Sequence, residues 1–237
     1  MRGQSHVVGF ALILGLGIVA LGTLTAGIGA VIDGQSSNAD AMRVAEEMND
    51  AMQVVERTGR YTHRISFADG SLSTSDRTLR VLHDGNVVHE IEVDALVFES
   101  GERRVTGTAG AVVHGTESNA WLERGPPITS SEANEVLVVG APVLGTDHVS
   151  VGGRGGVTAT LQTNITHDRE ELGTGTFAVA IETKTPEPFE RYFDEQSASV
   201  ERKTFDGDDH ESVVATYPGE RTAYLVVHNV NMEVSDG

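Results

Sequence analysis

The sequence contains no cysteine. Thiol catalysis, thiolate metal sites, disulfide staples and a lipid anchor on an N-terminal cysteine are thereby excluded. Lysine is nearly absent as well: Lys184 and Lys203 are the only two, and the other fifteen basic residues are arginines. Positive charge as a whole is scarce, with Lys+Arg 17 against Asp+Glu 35 and a net charge of −18. A field of that sign repels phosphate backbones, so nucleic-acid binding is excluded. Aromatic residues make up only 5% of the 237 residues. Recognisable catalytic signatures are missing too. There is no GxSxG, GxGxxG, Walker loop or HExxH, and the nine histidines form no close pair at metal-ligand spacing. The glycine-rich stretch VGGRGG (151–156) is followed by the strand-like VTATLQTNI rather than a helix, so it reads as a hairpin loop and not a phosphate cradle.

What is present is concentrated at the N-terminus. From Gly3 to Ile32 no Asp, Glu, Lys or Arg occurs. A bilayer core of about 30 Å needs roughly 20 apolar residues, so the run is long enough to span it. A cleaved secretory signal has a basic start, a shorter apolar core and a small-x-small site. Here the basic part is Arg2 alone and the apolar run is about twice too long. The expectation is therefore a retained transmembrane helix. Glycines within it, including Gly15, Gly22 and Gly29, suit close helix packing.

After Asp33-Gly34 the helical period resumes, with apolar residues at 41, 44, 45, 48, 51, 52 and 55, and Gly59 supplies a stop. The stripe Ala41, Ala45, Met48, Met52 and Val55 is expected to pack on its own domain. From Tyr61 the period changes to two. About ten short strands follow, punctuated by Asp69-Gly70, Asp84-Gly85, Gly125-Pro126-Pro127, Gly152-Gly153 and Pro218-Gly219. They include 77–83 and 86–93 as a hairpin, a single long strand at 103–114, and others at 135–141, 156–165, 175–183, 197–205, 211–218 and 221–234. One short helix is expected at 186–196. The fold class is thus α+β, a long N-terminal transmembrane helix followed by an antiparallel β-sandwich-like head. Its expected divisions are a leader at 1–3, the helix with its amphipathic extension at 4–58, and the head at 60–237.

Three further features carry chemistry. Asp206, Asp208 and Asp209 share one loop, a weak calcium candidate that lacks the EF-hand frame. Asn164-Ile165-Thr166 is a glycosylation sequon. Trp121, the only tryptophan, reads as core or interface filler. No cofactor is expected.

Arg2-Gly3-Gln4-Ser5, set directly before the apolar run, resembles the class III signal of type IV pilin-like and archaellin-like proteins. The stretch continuing to Ala11 is similar to uncharacterised haloarchaeal pilin-like proteins, and the acidic, lysine-poor composition resembles haloarchaeal proteomes. The resemblance implies that a prepilin-type leader peptidase cuts after Gly3 and leaves Gln4 as the new N-terminus. It also implies a non-enzymatic, membrane-anchored surface protein, a minor pilin or an accessory subunit, single-pass with an extracellular head. Its partners would be the membrane and other pilin-like subunits or a surface layer. One departure is Val8, which stands where many bacterial pilins carry a glutamate. The alternatives are a membrane-anchored extracellular enzyme and a conventionally secreted binding protein.

Overall fold

The computed structural model describes residues 35–146 and 148–236. The apolar run, the leader residues Arg2, Gly3 and Gln4, and Gly15, Gly22 and Gly29 all lie outside the described residues. Helix α1 covers 35–53. Its stripe of Ala41, Val44, Ala45, Met48, Met52 and Val55 is buried, while Arg43, Glu46 and Asp50 stay exposed on the opposite side. The stripe packs on Ile65, Phe67, Leu72, Leu96, Phe98 and Val105 of the neighbouring sheet. The approach is close at Gly107, where a Cβ would come within 2.8 Å of the Met48 sulfur.

Strand alternation takes over from there. The strands are β1 (Gly59–Ser75), β2 (Thr78–His83), β3 (Asn86–Glu92), β4 (Ala95–Ser100), β5 (Arg103–Thr108), β6 (Ala111–Thr116), β7 (Asn119–Arg124) and β8 (Ile128–Ser131). After them come β9 (Val136–Val143), β10 (Ser150–Gly175) and β11 (Phe177–Glu182). Helix α2 (Pro186–Glu195) is followed by β12 (Ser199–Lys203), β13 (Ser212–Thr216), β14 (Arg221–Asn229) and β15 (Glu233–Asp236). The larger sheet runs β7-β6-β5-β4-β1-β10-β14-β9-β8, with β15 also paired to β10. The smaller runs β12-β13-β11-β2-β3.

β10 is the backbone of the larger sheet. Its first half pairs with β1 and its second half with β14. The two sheets face each other across a second core, in which Leu79, Val81, Phe177, Val179 and Val213 meet Leu137, Val139, Ala223 and Leu225. Phe189 and Phe193 of α2 enter the same core. α2 begins with Pro at its first turn, where a missing N–H costs nothing. The edge of β1 beside α1 is closed by helix carboxylates. Asp40 Oδ2 accepts from the N–H groups of Ala68 (3.1 Å) and Asp69 (3.2 Å), and Glu47 Oε2 accepts from Ser66 (2.6 Å).

These observations correct several expectations. The described chain is mostly strand, 60% against 14% helical, and its two helices are short. Among the described residues no helix is long and apolar enough to cross a membrane. α1 has a narrow apolar stripe that its own sheet covers, with charges around the rest. The α+β class with a long transmembrane helix, the transmembrane, membrane and pilin descriptions, and the single-pass placement are therefore unsupported. The head is not wholly antiparallel either, because β9 and β14 pair in parallel. The expected strand at 103–114 is a hairpin: Ala109 (φ 48°) and Gly110 (φ 76°) adopt the left-handed conformation of a two-residue turn.

Candidate functional site

The loop of Asp206, Asp208 and Asp209 lies beside a hollow of about 530 Å³ that Arg77, Arg80, Glu90, Glu92 and Glu182 also line. The three aspartates do not converge. Asp206 and Asp209 are exposed, while the Asp208 carboxylate turns inward. There Arg80 grips it with both arms of the guanidinium, Nη1 to Oδ2 at 2.8 Å and Nη2 to Oδ1 at 2.7 Å. Such a bidentate pair is geometrically selective as well as strong. Arg80 Nε donates to Glu90 Oε2 at 2.9 Å, and the guanidinium lies 4.5 Å over the Phe205 ring. Burial opposes the charge on Arg80, but the hydrogen bonds to Asp208 and Glu90 outweigh it and hold its pKa above the ordinary value. The single inward carboxylate of the calcium candidate is thus already neutralised by a side chain. Among the described residues no group of three or more His, Asp or Glu is arranged to hold a metal.

Glu182, buried at the end of β11, organises the same region. Its Oε2 accepts from the Thr78 N–H (3.1 Å), and its Oε1 from Asp209 and His210 (both 3.2 Å). Burial pushes the carboxyl up, against the pull of Arg77 at 3.9 Å. This side chain fixes the aspartate loop to the start of β2, so the loop's geometry is set by the fold.

Asn164 stands exposed on β10, opposite Arg60 of β1. Among the described residues it is bonded through its backbone: its N–H donates to the Val230 carbonyl, and its carbonyl accepts from Asn231 Nδ2. The sequon amide and Thr166 are therefore accessible. Trp121 is 41% exposed on β7, so it is not core filler; its ring meets His114 edge-on at 4.2 Å. His114 Nε2 lies 3.2 Å from Glu123 Oε2, yet burial outweighs that carboxylate and lowers the imidazole pKa.

One constellation has no sequence signal. His167 of β10 and His228 of β14 are direct cross-strand partners, with their Nδ1 atoms 2.9 Å apart. One imidazole has to donate and the other accept, so the pair shares a single proton there. Among the described residues the buried His167 Nε2 has no hydrogen-bond partner. Burial, then His167, then Arg169 push the His228 pKa down to about 4. The two residues are 61 positions apart, and only the β10–β14 register joins them.

No curated protein and no solved structure matches the chain. A family of unknown function, DUF7289, matches residues 2–233, and the chain belongs to that family.

Proposed function

We propose that the chain is an accessory structural subunit of a cell-surface assembly, matured by a prepilin-type leader peptidase between Gly3 and Gln4. It acts through contacts with neighbouring subunits or a surface layer, and no membrane-spanning helix is part of this reading. The observation that carries it is Arg2-Gly3-Gln4-Ser5 placed against thirty residues without charge, Gly3 to Ile32. Two features of the structure support it. α1 follows directly on that segment and docks its whole apolar stripe on the β-sheet, so the N-terminal segment is joined to a firmly packed head. The buried ionisable side chains Arg80, Asp208, Glu182 and Asp40 all hold loops and strand edges in place.

The test is the mass of the mature protein and of its N-terminal peptide. A terminus at Gln4 is expected, and one near residue 30 overturns the reading. Replacing Gly3 with isoleucine blocks the cut, because only glycine lets a peptidase approach the backbone without meeting a Cβ. An isoleucine variant that matures to the wild-type mass refutes the leader assignment.

A further inference from the structure

The two sheets treat their edges differently. An edge strand presents unpaired N–H and C=O groups that pair with another chain unless they are covered. In the larger sheet α2 ties down both end strands. Arg191 Nη2 donates to the Ala120 carbonyl of β7 (2.9 Å), and the Tyr192 hydroxyl bonds the carbonyls of Pro126 (2.9 Å) and Ile128 (3.1 Å) at β8. In the smaller sheet α2 reaches β12 through side chains alone, with Arg202 Nη2 donating to Glu190 Oε2 (2.9 Å) and Glu187 Oε1 (3.2 Å), and it leaves the backbone edge open. The end strands of this sheet, β3 and β12, make no backbone hydrogen bond on their outer sides among the described residues. Val87 and Val88 on β3 are 43% and 46% exposed, two of the few large apolar side chains left in solvent.

The two open edges differ in charge. β3 carries Glu92 and Glu90, the latter held by Arg80, whereas β12 carries Lys203 beside Glu201, its Arg202 being taken by Glu187 and Glu190 of α2. Lys203 is one of only two lysines in the chain. Every neighbouring pair in this sheet is antiparallel, so four steps leave β3 and β12 running in the same direction. A second copy stacked in the same orientation therefore brings its β12 alongside β3 as a parallel pair, whose evenly spaced, slanted backbone bonds are slightly weaker per residue than antiparallel ones. Two β3 strands related by a two-fold axis would instead set four glutamates around one seam, and like charges across strands destabilise a sheet.

We propose that β3 of one copy adds to β12 of a second copy, so that the five-stranded sheet extends head to tail through successive subunits. This rests on the structural-subunit reading above and names the surfaces by which the subunit meets its own kind. A head-to-tail interface that does not close by rotation generates a filament rather than a dimer. Copies of net charge −18 repel one another at low salt. The Debye length is about 3 Å at 1 M against about 10 Å at 0.1 M, so association belongs to molar salt, where only touching charges still sense each other.

The experiment is sedimentation velocity and electron microscopy of the full chain in molar salt across a wide concentration range. Wild-type protein is expected to form a ladder of species beyond the dimer. Val88→Lys at one edge and Lys203→Glu at the other should each weaken association about tenfold with the circular dichroism of the fold retained, although Lys203→Glu also gives up the ammonium's contact over the Phe205 ring. Glu92→Lys should weaken it too, and Glu92→Lys with Lys203→Glu in one chain should recover part of the loss. A wild-type protein that stays monomeric overturns the proposal. So does a closed dimer indifferent to Lys203→Glu, or association indifferent to all these substitutions, as would occur through the apolar run at 3–32. A protein that matures at Gln4 yet stays monomeric overturns the edge pairing alone. One that assembles through β3 and β12 without cleavage overturns only the maturation route.

Discussion

Lowering the pH from 7 to 5 tests the buried imidazole pair quantitatively. In the folded state His228 titrates at about 4 instead of its ordinary 6.5, because burial, His167 and Arg169 all oppose its charge. Between those two values the unfolded chain binds a proton that the folded chain refuses. Stability is therefore untouched above 6.5, falls as the pH drops below it, and levels off below about 4. At pH 5 this single group accounts for about 2 kcal/mol, or about 1 kcal/mol if water reaching the half-buried His167 screens the pair. The assay is denaturant unfolding at pH 7 and pH 5 in constant molar salt, on wild type and on His228→Asn. Burial lowers His114 and His210 in the same direction, so both proteins lose some stability. The variant should lose about 1 to 2 kcal/mol less. Equal losses in the two proteins refute the view that this pair is held neutral by the fold.

Three further outcomes follow from the same contacts. Arg80→Met strands the Asp208 carboxylate in its buried site and should cost about 3 to 5 kcal/mol, whereas Arg80→Met with Asp208→Leu should regain most of that, by thermal or denaturant melts. Asp40→Ala removes the acceptor for two N–H groups on the β1 edge and should cost about 2 kcal/mol, with faster amide exchange at Ala68 and Asp69; Asp40→Asn, which keeps an acceptor oxygen, should cost less. The chain, with 35 carboxylates against 17 basic groups, should melt at a lower temperature in 0.1 M than in 3 M salt, and equal melting temperatures would remove the halophilic interpretation.

Local periodicity made much of the β-rich region legible. Alternation with Asp84-Gly85 between gives β2 and β3, and the apolar face of 186–196 gives α2 within a residue. The α1 stripe reads correctly as a face packed on its own domain, since a 3–4 spacing reports burial whatever the partner is. Elsewhere local pattern is not enough. At 103–114 β-branched residues stand on both sides of Ala109-Gly110 (Val105, Thr106 and Thr108 before, Val112 and Val113 after), and only the positive φ of both turn residues divides the run. The long β10 is hidden because its two halves face different neighbours, β1 and then β14, so no constant alternation runs along it. The aspartate loop looks like a cation site because its neutralising partner, Arg80, is 128 residues away. The histidine pair is invisible for the same reason, as is the role of α2 in sealing both ends of the larger sheet.

The pairing of β1 with β10 also decides how the domain answers tension. The described chain enters through α1 and turns directly into β1, which stays zipped to β10 from Gly59↔Ile165 to Ser73↔Ser150. The final strand, β15, is laid along the same stretch of β10 from its other side, at Ala159 to Gln162. Antiparallel hydrogen bonds lie perpendicular to their strands, so a pull along β1 loads the whole row at once instead of peeling it bond by bond. A load arriving from the N-terminal side thus falls on the longest ladder among the described residues. The weakest mechanical link is then the docking of α1, whose helix carboxylates and apolar stripe must yield before the sheet does.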